Sequence, residues 1–401
     1  MKKCALLAMA ASSNGLLQID YCMTSAQSGL KRRHVFYVTG YDPRGPEFYH
    51  ALLKREARVA KSRGLENVHV SSLRQTWAHG FLCECSAAEV PQLEISYEFF
   101  AITDIIAKYF RASIIWALMQ SFRLFFVMLA SGFLFRNFRR APKFATFSLY
   151  PFVLIFLLTL LSLVLAGIFY SFSGEMLLAM VGGIALFSVF CFWIRRNDHR
   201  FYLFYLLGDF FFSHAVVTGK NLDLKRRMQE FSRRVEDVVN LADENTEILI
   251  VGHSSGALLA VQLAAEVSRR VEKNSMAKIS LLTLGGQSSL GFFWNTESFV
   301  ADVAQLAATP SLTWRDIFAP QDVICSGRFD AVAQLTQAEN KGGYSLHSAR
   351  FKEALAPFSY GRMRFDFFKL HMQYLRARET DRGFSFLSII ISPMRLAATP
   401  I

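Results

Sequence analysis

The run Ile248-Leu249-Ile250-Val251-Gly252-His253-Ser254-Ser255-Gly256-Ala257-Leu258 decides how this chain is read. It opens on apolar, mostly β-branched residues, the composition of a strand buried on both faces. Gly252-His253-Ser254-Ser255-Gly256 follows, and residues 257–271 then repeat apolar side chains at helical spacing. Strand, Gly-x-Ser-x-Gly and helix in that order describe a nucleophile elbow, a turn so sharp that glycine is needed two residues either side of the serine. Such a turn lifts the Ser254 hydroxyl above the sheet edge. It also aims the free N–H groups and positive dipole end of the next helix at any negative charge forming there. The plain alternative is a glycine-rich connection without chemistry. Short patterns recur by chance, and the strand before and helix after are what give this one weight.

Strands and helices alternate on both sides of the elbow. His34-Val35-Phe36-Tyr37-Val38-Thr39-Gly40-Tyr41-Asp42-Pro43-Arg44-Gly45 reads as a buried strand and a Gly/Pro loop, followed by a helix over 47–62 and a strand near 67–73. A polar-faced helix over 222–241 leads into the elbow strand at 247–251. Strands at 278–284 and 311–318 follow, with a helix near 297–308 between them. This order predicts an α/β fold with a mostly parallel sheet covered by helices on both faces.

Two segments interrupt it. Residues 149–170 and 176–194 carry no charge, and each is close to the roughly 20 residues that span a hydrocarbon core. A soluble helix would need a polar face, which neither has. Only 171–175 separate them, so they form a hairpin. Arg136, Arg139, Arg140 and Lys143 precede the first, and Arg195, Arg196 and Arg200 follow the second. By the positive-inside rule both outer ends, and the α/β domain with them, face the cytoplasm. A third apolar stretch, 113–135, contains Gln120 and Arg123; a central arginine is costly in a span, and an even number of crossings keeps one domain on one side. That stretch is read as an interfacial helix. The expected divisions are a disordered leader over 1–30, the first part of the α/β domain over 31–110, a membrane insertion over 111–200, the second part of the domain over 201–385 and a tail over 386–401. The first eleven residues faintly resemble a signal peptide, but their apolar run is short and export would place the basic flanks on the wrong side. Met23 is an alternative start.

Composition agrees with lipid as a second solvent. Hydrophobic residues make up 52 % of the 401, with 39 Phe, while charged residues reach only 19 %, against about 25 % in an ordinary soluble domain. The net charge of +12 is spread among helices rather than gathered into a nucleic-acid-binding pattern. The expected counter-charge is therefore a bilayer with anionic headgroups, not nucleic acid. The oligomeric state is not readable. Cys4, Cys22, Cys83, Cys85, Cys191 and Cys325 lack disulfide or zinc spacing and read as free thiols in a reducing compartment.

A serine hydroxyl is a weak nucleophile at neutral pH. It needs an imidazole base, and the base needs a carboxylate to fix its tautomer. Downstream of Ser254 the acids include Asp302, Asp316, Asp322, Asp330 and Asp366. Asp322 follows the end of a strand through Ala319-Pro320, where a side chain reaches the sheet edge. Asp316 falls inside that strand and is expected to pair with Arg315 or face the surface. For the base, His371, after a long loop and at the start of the next helix, is favoured over His347 in or beside a late strand. The oxyanion donors would be the backbone N–H groups of Ser255 and of Tyr41, although Tyr41 and Asp42 could equally only make the turn. His253 and Asp209 are read as structural.

These features resemble the α/β-hydrolase superfamily, particularly its lipase- and esterase-like serine hydrolases, over about 33–100 and 201–385. The resemblance is strongest at Gly252-His253-Ser254-Ser255-Gly256, weaker at Pro320-Gln321-Asp322 and weakest at His371. It implies a Ser254–Asp322–His371 triad, an acyl-enzyme, an ester or acyl substrate, and no metal or organic cofactor. The chain departs from the pattern in having Thr39-Gly40-Tyr41-Asp42 where a His-Gly-Gly-Gly motif would lie, and in carrying the membrane hairpin. Acyl transfer on the same fold, and a non-catalytic membrane scaffold, remain as alternatives.

Overall fold

A computed structural model describes residues 29–400, and a nine-stranded sheet organises them. Its strands are β1 (Arg32–Val38), β2 (Val68–Val70), β3 (Arg74–Trp77), β4 (Gly80–Ala87), β5 (Glu94–Phe100), β6 (Thr246–His253), β7 (Ile279–Leu284), β8 (Thr313–Phe318) and β9 (Tyr344–Ser348). The spatial order is β2-β4-β5-β1-β6-β7-β8-β9, with β3 paired to β4 alone. From β5 through β9 every pairing is parallel, and β4 runs against β2, β3 and β5. The fold is thus α/β with a mostly parallel, mixed sheet. The leader expected over 1–30 lies almost wholly outside the described residues, as do Cys4 and Cys22. Cys83, Cys85, Cys191 and Cys325 are buried free thiols.

Helices cover both faces. They are α1 (Gly45–Ser62), α2 (Thr103–Phe110), α3 (Ile114–Ala130), α4 (Phe133–Arg140), α5 (Pro142–Ser173), α6 (Met176–Arg196), α7 (Leu203–Val217), α8 (Leu222–Leu241), α9 (Ser255–Arg270) and α10 (Glu297–Ala307), with shorter turns between. Alternation along β6 explains the two layers. Ile248 and Ile250 join the core under α7–α10, while Leu249 and Val251 join the core on the α1 side. All eight β6 residues are buried.

The stretch expected to be a tail is packed into the domain. Phe386, Leu387, Ile389, Ile390 and Leu396 are buried, and their carbonyl groups are tied down from β1. Arg33 donates to the Ile389, Ile390 and Ser392 carbonyl oxygens at 2.9, 2.8 and 2.6 Å, and its guanidinium also meets Glu247 Oε2 at 2.6 Å. Glu247 Oε1 in turn accepts the Ser280 hydroxyl at 2.8 Å and the Leu396 N–H at 2.7 Å. A charge pair this deep is tolerable only because its polar atoms are satisfied in this way.

α5 and α6 are long and apolar enough to cross a membrane, and only 6 % and 17 % of their most apolar windows lie inside the protein. The first three turns of α5 are the exception: Phe144, Ala145, Ser148, Pro151 and Phe152 are buried. α3, the expected interfacial helix, buries Ala117, Ser121, Leu124 and Met128 along one face. Its other face leaves Ile115, Met119, Phe122 and Phe126 at least half exposed. α2 and α3 meet at 97°.

Candidate active site

β1 sits between β5 and β6. The chain leaves β1 toward one edge of the sheet and leaves β6 toward the other, so the loops at their carboxyl ends diverge and open a crevice. Ser254 stands there at φ 60° and ψ −132°. A non-glycine residue at such angles stores of order 1–3 kcal/mol of strain, and its N–H is held by the Leu284 carbonyl oxygen at 2.9 Å. The neighbouring glycines are dictated by backbone contact. A Cβ on Gly252 would lie 2.3 Å from the Gly256 carbonyl oxygen, and one on Gly256 would lie 2.6 Å from that of Val38.

The structure brings Ser254, Ser255 and Tyr41 together. Ser255 is the first residue of α9, whose leading N–H groups have no acceptor within the helix. The Tyr41 N–H donates to the Ser255 hydroxyl oxygen at 2.9 Å, so this donor is engaged by the elbow's own side chain. The Tyr41 ring stacks on Phe110 at 5.0 Å. Gly208 makes room for it, since a Cβ there would lie 2.0 Å from the Tyr41 hydroxyl.

Asp322 and His371 meet as a pair. The turn after β8 places the Asp322 carboxylate where Oδ2 accepts the His371 Nδ1–H at 2.7 Å and Oδ1 accepts the Ile324 N–H at 3.0 Å. Burial pushes this carboxyl up, but the neighbouring His371 charge and these hydrogen bonds outweigh it and hold Asp322 below its ordinary range. In its neutral form, with its proton on Nδ1, His371 presents the lone pair of Nε2. That atom is buried and has no hydrogen-bond partner among the described residues. His371 is the last residue of the short helix Phe367–His371 and caps the helical turn Met372–Leu375 that follows. Its carbonyl oxygen accepts the His253 Nε2–H at 2.9 Å. Burial, and then the charge of His371, push His253 down to about 3, so it adds no positive charge to the site.

Ser254, His371, His253 and Tyr41 line one cavity of about 440 Å³, a size that suits a small-molecule site. The other candidates are occupied elsewhere. His347 lies on β9 with Nε2 2.8 Å from the Ser345 hydroxyl. Asp302 pairs with Arg269 at 2.8 Å, Asp366 pairs with Lys369 at 2.8 Å, and Asp330 pairs with Lys341. Asp316 departs from its expectation: it neither pairs with Arg315 nor reaches the surface. It is buried and accepts the Thr283 hydroxyl at 2.7 Å, and burial pushes its carboxyl up to about 6.

Asp209, read from the sequence as structural, borders the site. On α7 it lines the same cavity and accepts Gln287 Nε2–H at 3.2 Å and the Ser213 hydroxyl at 3.4 Å. Burial raises its carboxyl and these bonds only partly offset the rise. The available signal was one aspartate in the apolar run Leu203-Phe204-Tyr205-Leu206-Leu207-Gly208-Asp209-Phe210, since a lone buried acid needs partners. The chain matches no family model, no curated protein and no solved structure in the comparisons made with it.

Proposed function

We propose that this chain is a membrane-anchored serine hydrolase of α/β-hydrolase type, cleaving an ester or thioester. The observation that carries the reading is the His371 ring: Asp322 holds one nitrogen at 2.7 Å, while the other is buried and unpartnered in a cavity that Ser254 also lines. Ser254 Oγ bonds to the carbonyl carbon as its proton passes to His371 Nε2. The imidazolium then protonates the departing alkoxide or thiolate as the carbon–oxygen or carbon–sulfur bond breaks. A water repeats the sequence on the acyl-enzyme and frees the acid. The Ser255 N–H faces the negative oxygen, and the Tyr41 N–H joins it when the Ser255 hydroxyl turns away. In this reading α5 and α6 anchor the domain, and their basic flanks favour the cytoplasmic side, against anionic headgroups.

Hydrolysis of acyl esters by the full chain in lipid nanodiscs tests this. Ser254→Ala and His371→Ala should each lower kcat by at least about 10³-fold, whereas His347→Ala should leave it near the wild-type value. Turnover by Ser254→Ala at the wild-type rate would overturn the reading.

A further inference from the structure

A second cavity, of about 820 Å³, lies against the first. Lys143, Thr146, Phe147 and Tyr150, from the first turns of α5, form one wall, and Phe365 and Phe367 line it from the segment before His371. Tyr202, Leu206, Asp366 and Phe368 line both cavities. Tyr202 and Phe368 stack with ring centroids 3.7 Å apart, so two aromatic rings stand between this space and the one holding Ser254 and His371.

Position and charge indicate what it takes. The lipid-facing surface of α5 begins at Val153 and Phe156, 49 % and 64 % exposed, one to two turns beyond the cavity wall. Phe365 is 73 % exposed at the other wall. Aromatic side chains next to an apolar band are characteristic of the bilayer interface. Lys143 and Arg200 line the side cavity, and Arg376 lines the catalytic one with its Nε buried and without a hydrogen-bond partner among the described residues. Of the carboxylates nearby, Asp42 pairs with Arg44 and Asp366 with Lys369, while Asp209 lies in the catalytic cavity and is hydrogen-bonded to Gln287. At the side cavity, where a molecule enters, the uncompensated charge is that of Lys143 and Arg200 and is positive.

We infer that the substrate is an ester-linked lipid with an anionic headgroup, drawn sideways from the leaflet at the foot of α5 through this second cavity. Its chain lies among Phe147, Tyr150 and Phe365, and its anionic group turns toward Arg376. The identity of the substrate rests on the hydrolase reading, but its binding can be tested without catalysis. Ser254→Ala protein in nanodiscs is irradiated with phosphatidic acid carrying a diazirine in its acyl chain. We expect cross-links on Leu206, Val323 and Phe365, weakened roughly tenfold by the added substitution Thr146→Trp and several-fold when phosphatidylcholine with the same chain replaces the acid. Cross-links confined to the outer faces of α5 and α6, or equal for the two headgroups, would overturn the proposal. Fluorophosphonate labelling of the wild type reports separately on the hydrolase reading, so the two can fail independently.

Discussion

The centre of β6, Ile248–Val251, and the most apolar window of α5 are both apolar, yet they use that property in opposite ways. β6 is buried at all eight positions, whereas the most apolar window of α5 has 6 % of its residues inside the protein. A strand leaves its N–H and C=O groups to neighbours, so β6 can exist only between β1 and β7. A helix satisfies those groups itself and can turn its side chains toward lipid. The glycines show the same contrast. Gly252 and Gly256 are wedged against backbone, while Gly167 and Gly182 have open space where a Cβ would go. Apolar character excludes water in both regions; only in the first does it also fix atoms to fractions of an ångström.

Substitutions in the two regions should therefore differ sharply. Asp322→Asn keeps the shape of the pair but lets His371 settle in the wrong tautomer, and kcat should fall by up to about 10⁴-fold with little change in thermal unfolding. Gly256→Ala drives a methyl group into the Val38 carbonyl. Its Tm should drop by many degrees, corresponding to at least about 3 kcal/mol, or the protein should fail to fold.

Asp316 offers a pH-dependent comparison. Its folded pKa of about 6 lies above the ordinary 3.8, so its contribution to stability is fully present below the lower value and is lost as pH rises through the upper one. At about 1.4 kcal/mol per pH unit, wild type should lose up to roughly 3 kcal/mol relative to Asp316→Asn between pH 4 and pH 8. Unfolding midpoints of the two proteins measured across that range check the sign; parallel curves would contradict it. The mildest change is Gly182→Ala in α6, where stability in nanodiscs should stay within about 0.5 kcal/mol of wild type.

What could be read from the sequence follows the same division. The elbow, its strand and helix, the acid after β8 and the two apolar helices are each written in a short window, by periodicity or by a five-residue motif. That residues 386–400 pack on the domain is not legible locally, because the partner, Arg33, lies more than 350 positions away. Arg74–Trp77, Gly80–Ala87 and Glu94–Phe100 were not separated as strands, since short mixed-polarity runs acquire meaning only from pairing across β4. Asp209 is read from the sequence as structural for a similar reason: its hydrogen bond from Gln287 crosses from α7 to another element and is invisible in a short window.

Mapping a covalent adduct tests whether Ser254 is an activated nucleophile. The full-length protein in nanodiscs is treated with a small fluorophosphonate, digested and analysed by mass spectrometry. We expect a single stoichiometric adduct on the peptide containing Ser254, lost in His371→Ala. Correctly folded wild type that acquires no adduct, or one only at other residues, would contradict the catalytic account.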